Sequence, residues 1–234
     1  MKKTGIISGT VPLHGEGIFS HLREETVKTE FGIASVFHSA DLIFIARHGS
    51  GRSSPILPHR INHPANLAAM QKMGVEEVIG VNSTGSLKRR LKPGVIVIPD
   101  DYIQLGPGTT AVTEKPLHIV PRLDKNVRER LLTAARETEI AVFDGGTYWQ
   151  SPGPRLETRA EIAMFSQFAD IIGMTMASEA ISAQELELPY ASLCSVDNYA
   201  NGLEDKDLTL EKIRRHARLN TEAIQRILSR CLEQ

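Results

Sequence analysis

The chain has 234 residues, 41% hydrophobic and 24% charged, with a formal net charge of -1. That length and apolar content suffice for one sizeable core, and interleaved charges of both signs leave no basic stripe for nucleic acid. No apolar run approaches membrane-spanning length, and the stretch after Met1-Lys2-Lys3 is too short for a secretion signal, so the sequence reads as a cytoplasmic protein with no membrane partner. Cys194 and Cys231 show no CxxC or Cys/His ligand spacing, so neither a metal site nor a disulfide is expected.

Short apolar runs bounded by Gly, Pro, Asn and Asp read as buried strands, and amphipathic stretches between them as helices. The first strand, Gly5 to Ser8, runs into Gly9-Thr10, a turn that either simply ends the strand or aims amides and a hydroxyl at an anion. The next, Leu42 to Ala46, closes on Arg47-His48, where the cations suit either a surface ion pair or charge-assisted bonds to phosphate. A helix over Pro64 to Met73 precedes the strand Val78 to Val81, which the turn Asn82-Ser83-Thr84-Gly85 follows. After a strand at Val95 to Pro99, the segment Gln104 to Pro121 is irregular, a pattern common in functional or interface loops.

Helices are then expected at Lys125 to Thr138, Arg159 to Phe168, Ala177 to Leu186 and Leu208 to Leu232, with strands at Ile140 to Phe143, Ile171 to Met174 and Tyr190 to Val196. In the last helix Ile213, Ala217, Leu219, Ala223, Ile224, Ile227 and Leu228 recur near helical spacing. Strands alternating with helices argue for an α/β fold with a parallel or mixed central sheet, and no linker divides residues 1–234, so a single domain is expected.

Two residues carry the sharpest chemistry. A 6-oxopurine presents an N–H at N1, a carbonyl at O6 and a nitrogen at N7, and an ionised Glu157 with Asn198 supplies the matching acceptor and donor–acceptor pair. Alone, Asn198 also fits a turn after a strand.

Gly5-Ile-Ile-Ser-Gly-Thr10, Ala46-Arg-His-Gly49, Gly80-Val-Asn-Ser-Thr-Gly-Ser86, Gly153-Pro-Arg-Leu-Glu-Thr158 and Gly173-Met-Thr-Met-Ala-Ser-Glu179, in this order, resemble the trimeric purine nucleoside phosphorylase and methylthioadenosine phosphorylase family. The resemblance implies a mixed, partly barrel-like central sheet flanked by helices, a homotrimer with sites near subunit interfaces, and phosphorolysis of a purine nucleoside. Inorganic phosphate is then a co-substrate, and no cofactor is needed. By the same resemblance Thr10, Arg47, His48, Ser83 and Thr175 hold phosphate, while Asn82 and Met174 border the nucleoside. Glu157 and Asn198 read the base.

Asn198 stands where methylthioadenosine phosphorylases carry Asp, and those enzymes lack a match to Glu157, so the pair favours oxo over amino purines. Leu210, with Ile213 one turn on, replaces the His of hydroxyl-binding relatives and suggests an apolar pocket for a 5′-methylthio group, although Leu at that spacing also suits a core. The favoured substrate is therefore 5′-methylthioinosine, with inosine or guanosine next. His118 resembles a residue lent by a neighbouring subunit. Val11, Arg52 and His63 depart from the family's Gly, His and ribose-contacting Tyr, which motivates a rival reading as a nucleoside-binding protein without turnover. The absence of GxGxxG after the first strand argues against a dehydrogenase.

Overall fold

The computed structural model describes residues 2–234 except 14, 16, 51–53, 107, 115 and 205–208, and omits the side chains at 210, 212 and 214. In chain order it contains β1 (Thr4–Ser8), β2 (Arg23–Thr29), β3 (Gly32–His38), β4 (Leu42–Ala46), α1 (His63–Lys72), β5 (Glu77–Ser86), β6 (Ile96–Ile98), β7 (Asp101–Gln104) and α2 (Lys125–Glu137). There follow β8 (Val142–Asp144), β9 (Thr147–Gln150), α3 (Arg159–Phe165), β10 (Ile171–Gly173), α4 (Met176–Glu185), β11 (Tyr190–Tyr199), α5 (Leu210–Leu219) and α6 (Thr221–Leu232).

These strands form one mixed sheet in the order β2-β3-β4-β1-β5-β10-β9-β7, which branches where β11 joins β5 and β6, and β6 joins β8. The α/β expectation therefore holds. Side-chain alternation decides which helices cover which face. Ile7, Ile43, Ile45, Val78 and Cys194 pack with Leu67 and Met70 of α1 and Ala177 and Ala180 of α4. Their neighbours Ile6, Phe44, Ile79, Val81 and Leu193 pack with Leu131 of α2, Ala217 of α5 and Ile227 of α6. With both faces buried, the strands read as continuous apolar runs.

β1 is parallel to β4 and β5, and β5 is parallel to β11. Their C-terminal ends therefore lie together, and in open α/β sheets that edge is where ligands bind.

Several boundaries differ from expectation. β5 runs on through Ser86 and β11 through Tyr199, because the two ladders pair as far as Tyr199↔Ser86. Asn82 to Gly85 and Asn198 are thus strand residues rather than turns. The terminal helix divides at Asn220, which caps α6 while its side chain donates to Ser195 Oγ at 2.8 Å. The β2–β3 hairpin was hidden by its polarity, since Val27 is the buried residue of β2. α3 ends at Phe165, three residues early, and Phe168 is exposed. Leu219, at the end of α5, also proves exposed although its spacing matched the apolar face.

Candidate active site

At the ends of β1 and β4, backbone and side chains approach closely. A Cβ on Gly9 would lie 2.9 Å from Arg47 Nη1 and 3.0 Å from His48 Nε2, so only glycine lets the turn before Thr10 rest on both side chains. The Ser8 hydroxyl donates to the Val11 carbonyl at 2.9 Å, and the Val11 side chain is buried in the core, so this turn is fixed from both sides. His48 Nδ1 donates to the Ile56 carbonyl at 2.7 Å, which leaves Nε2 facing Gly9. Burial and then Arg47 lower the His48 pKa, partly offset by the Ile56 bond.

Arg47 differs from the freely presented phosphate ligand that the sequence suggests. It is buried, and four of its five N–H groups are used internally: Nε and Nη2 on the Glu179 carboxylate at 2.6 and 3.1 Å, Nη1 on the Val81 carbonyl and Nη2 on the Ile7 carbonyl. One Nη1 N–H remains on the Gly9 side.

Glu179, which is fully buried and also accepts from Tyr190 Oη at 2.8 Å, is the central positioning residue that the sequence reading missed. Its only signal was an acid at an apolar position of α4. Burial raises its pKa, and the bonds from Arg47 and Tyr190 pull it back down.

His63 and Asn82 are both buried behind the strand ends. His63 begins α1 with its side chain buried, Nδ1 unpartnered and 4.0 Å from Glu179. Burial first, then Arg47 and His48, hold its pKa down to about 3. Because the folded pKa lies below the ordinary value of 6.5, stability is present above pH 6.5 and is lost as pH falls toward 3. A His63→Asn variant should lose less stability than the parent between pH 7 and 4.5 in urea titrations. Equal losses would remove His63 as the cause.

Asn82 is fully buried, accepting from Ser192 Oγ at 2.7 Å and donating to Thr175 Oγ1 at 2.9 Å. It props Thr175. Since the Thr175 oxygen accepts from Asn82, its own O–H stays available to donate, at the point where β10 enters α4. The first amides of α4 are already occupied, with Thr175 and Met176 donating to Tyr148 Oη and Ala177 to Gln150 Oε1.

The other half of the site comes from β9, β10 and β11. Gly153, at φ +64°, packs so closely that a Cβ there would lie 2.7 Å from Met174 Sδ, which brings the loop after β9 onto the end of β10. The same loop ends in Glu157, which is buried. Its backbone is pinned from two sides: Asn201 Nδ2 donates to the Glu157 carbonyl at 2.9 Å, and Thr158 and Glu161 form a capping box on α3.

Asn198 lies over Gly85, whose Cβ would come within 3.1 Å of Asn198 Nδ2. That nitrogen donates to the Tyr199 carbonyl at 2.8 Å, leaving a second N–H and the amide oxygen for another partner. Ser83, next to Gly85's neighbour Thr84, is half-buried.

The 5′-side residues are less gathered. Ile213 is half-buried on α5, while the Leu210 side chain and all of Arg52 fall outside the described residues. His118 is exposed on the loop between β7 and α2, remote in sequence from the strand ends. That loop is anchored to the far end of α4, where Thr110 Oγ1 and the Ala111 amide donate to Glu185 and Gln184 donates to the Val120 carbonyl. A cavity of about 520 Å³ beneath it, lined by Val120, Arg122, Gln184 and Tyr190, opens at the N-terminal end of β11. It is therefore at the opposite end of the sheet from Asn198.

The strand-end cleft thus offers a guanidinium, an imidazole and hydroxyls beside a buried carboxylate and a carboxamide. Among the described residues no cluster could hold a metal. The model of the phosphorylase superfamily matches residues 4–233. A probable 6-oxopurine nucleoside phosphorylase from Archaeoglobus fulgidus is 38% identical over 98% of this chain and 95% of its own. A probable S-methyl-5′-thioinosine phosphorylase from Methanocaldococcus jannaschii is 35% identical over 89% of this chain and 83% of its own. In fold, the chain matches the methylthioadenosine phosphorylase of Schistosoma mansoni in complex with adenine, with a TM-score of 0.89 at 24% identity over 100% of this chain and 91% of that one. The chain belongs to the phosphorylase superfamily, as an enzyme of the purine nucleoside phosphorylase family.

Proposed function

We propose that the enzyme cleaves a 6-oxopurine nucleoside by phosphorolysis, with S-methyl-5′-thioinosine favoured and inosine or guanosine next. The observation that carries this reading is the placement of the buried Glu157 side chain at the end of the loop after β9, where its carboxylate can accept from a ligand N–H. The N1–H of a 6-oxopurine is such a donor. Asn198 then donates its spare N–H to O6 and accepts from a protonated N7. The names of the two relatives above point to the same base.

In the reaction, a phosphate oxygen attacks C1′ as the bond to the base nitrogen breaks, giving ribose 1-phosphate or its 5-methylthio analogue and a free purine. Thr10, the spare Arg47 N–H, His48, Ser83 and Thr175 hold the phosphate, and its negative charge steadies the cationic sugar. Glu157 and Asn198 stabilise the departing base. Met174 lies against the sugar, with Ile213 toward its 5′ substituent.

A homotrimer fits the loop before α2, which exposes Leu105, Leu117 and Val120 beside His118. A second copy covering these side chains would bring His118 to its neighbour's site. Phosphate-dependent base release should be compared for methylthioinosine, inosine, guanosine and methylthioadenosine. Preference for methylthioadenosine would sink the base assignment, and a monomeric mass in solution would remove the shared site.

A further inference from the structure

Asp197 is the one acid in the site region that the proposed chemistry leaves unused, and its position is unusual. The β5–β11 register slips between Val196 and Asn198, so Asp197 is the extra residue of a β-bulge whose next residue is Asn198. Bulges re-aim side chains beside functional sites. Its side chain is fully buried, and Ser195 Oγ, which itself accepts from Asn220 Nδ2 at 2.8 Å, donates to Oδ1 at 2.5 Å. The Asp197 carbonyl accepts from His216 Nδ1 of α5 at 2.6 Å. Oδ2 has no partner of its own, although the Ser83 hydroxyl lies near enough to favour the carboxylate.

We infer that Asp197 is a positioning residue: from beneath the site, its carboxylate between Ser195 of β11 and Ser83 of β5 fixes the bulge and so sets the aim of Asn198. The inference rests on the base-reading role proposed for Asn198. The Ser195 hydroxyl donates to Asp197, an orientation that the carboxylate enforces and the protonated acid does not.

Burial raises the Asp197 pKa from 3.8 to about 6, with the Ser195 and Ser83 hydroxyls and the charge of His216 holding it down. Cys194, on the same strand, is the other titratable group coupled to it. A folded pKa above the unfolded one means that the stability this group contributes is present below pH 3.8 and lost as pH rises through about 6. The ionised acid therefore weakens the fold at neutral pH, a cost expected where function rather than stability holds a residue.

The test is the pH profile of phosphate-dependent base release by the full chain, run on whichever purine nucleoside it turns over, so that failure of the substrate reading leaves this experiment intact. With the concentration of dianionic phosphate held constant across the series, the wild-type kcat/KM for nucleoside should fall roughly fourfold between pH 7.5 and 5.5 as Asp197 protonates, a single-group acid limb. Asp197→Asn should abolish that limb while unfolding at an equal or higher urea concentration at pH 8. Ser195→Ala, which removes a bond that stabilises the carboxylate, should move the limb to higher pH. A limb unchanged in both variants overturns the inference. Should Asp197→Asn not fold, an unshifted limb in Ser195→Ala does so alone.

Discussion

Replacing Glu179 by Ala should lower the free energy of unfolding by about 3–5 kcal/mol, because it leaves a buried guanidinium without its counter-charge. Arg47 has no alternative acid in reach within the described ion pairs, and Glu179 is also the acceptor for Tyr190 Oη. The loss should be read from urea unfolding, with base-release activity measured on the fraction that stays folded. Activity should fall too, since the Nη1 group beside Gly9 is aimed only by the Glu179 bonds and two carbonyls. Removing both charges, as in Arg47→Met with Glu179→Leu, should recover part of the stability and none of the activity. A single Ala variant as stable as the parent would show that solvent reaches the pair and that Arg47 is not held as described.

The second large effect is on base selection. Glu157→Gln should lower kcat/KM for 6-oxopurine nucleosides by roughly 10- to 150-fold, the range for losing a charged hydrogen bond of about 1.5–3 kcal/mol. The amide can still occupy the space, so stability should change little. Asn198→Asp should shift selectivity in the same direction by a different route, exchanging a donor for a second acceptor that suits a 6-amino group and repels O6. Ratios of kcat/KM for methylthioinosine against methylthioadenosine, measured in both variants, test the pair. Ratios equal to the parent's would place neither residue against the six-position of the base.

The layered α/β architecture was legible because strands buried on both faces are continuous apolar runs, as at Gly5 to Ser8 and Leu42 to Ala46. Where apolarity failed, so did the reading. β2 escaped notice because its exposed face is charged, and the extension of β5 beyond Val81 because Asn82, Ser83 and Thr84 resemble a turn until β11 is seen to pair with them. The division at Asn220 depends on a long-range bond to Ser195, and no local pattern encodes it.

At the candidate site, sequence could not tell which residues face the cleft and which stand behind it. Asn82 lies within β5 and His63 begins α1, and the structure buries them against Thr175 and Glu179. Glu179 went unassigned for the converse reason. An acid among Ala and Ser on a helix carries no hint of a partner 132 residues away.

The branching of the sheet at β5 divides the cleft into halves with different mechanical freedom. One half is built on β1, β4 and β5, where Arg47 is locked to carbonyls of two strands, so little can change there without disturbing the core. The Glu157 loop is instead a surface excursion between β9 and α3, fastened by its own capping box and by Asn201. On the proposed reading, evolution or design can retune which purine is accepted by altering this loop, while the frame around Arg47 is inherited unchanged.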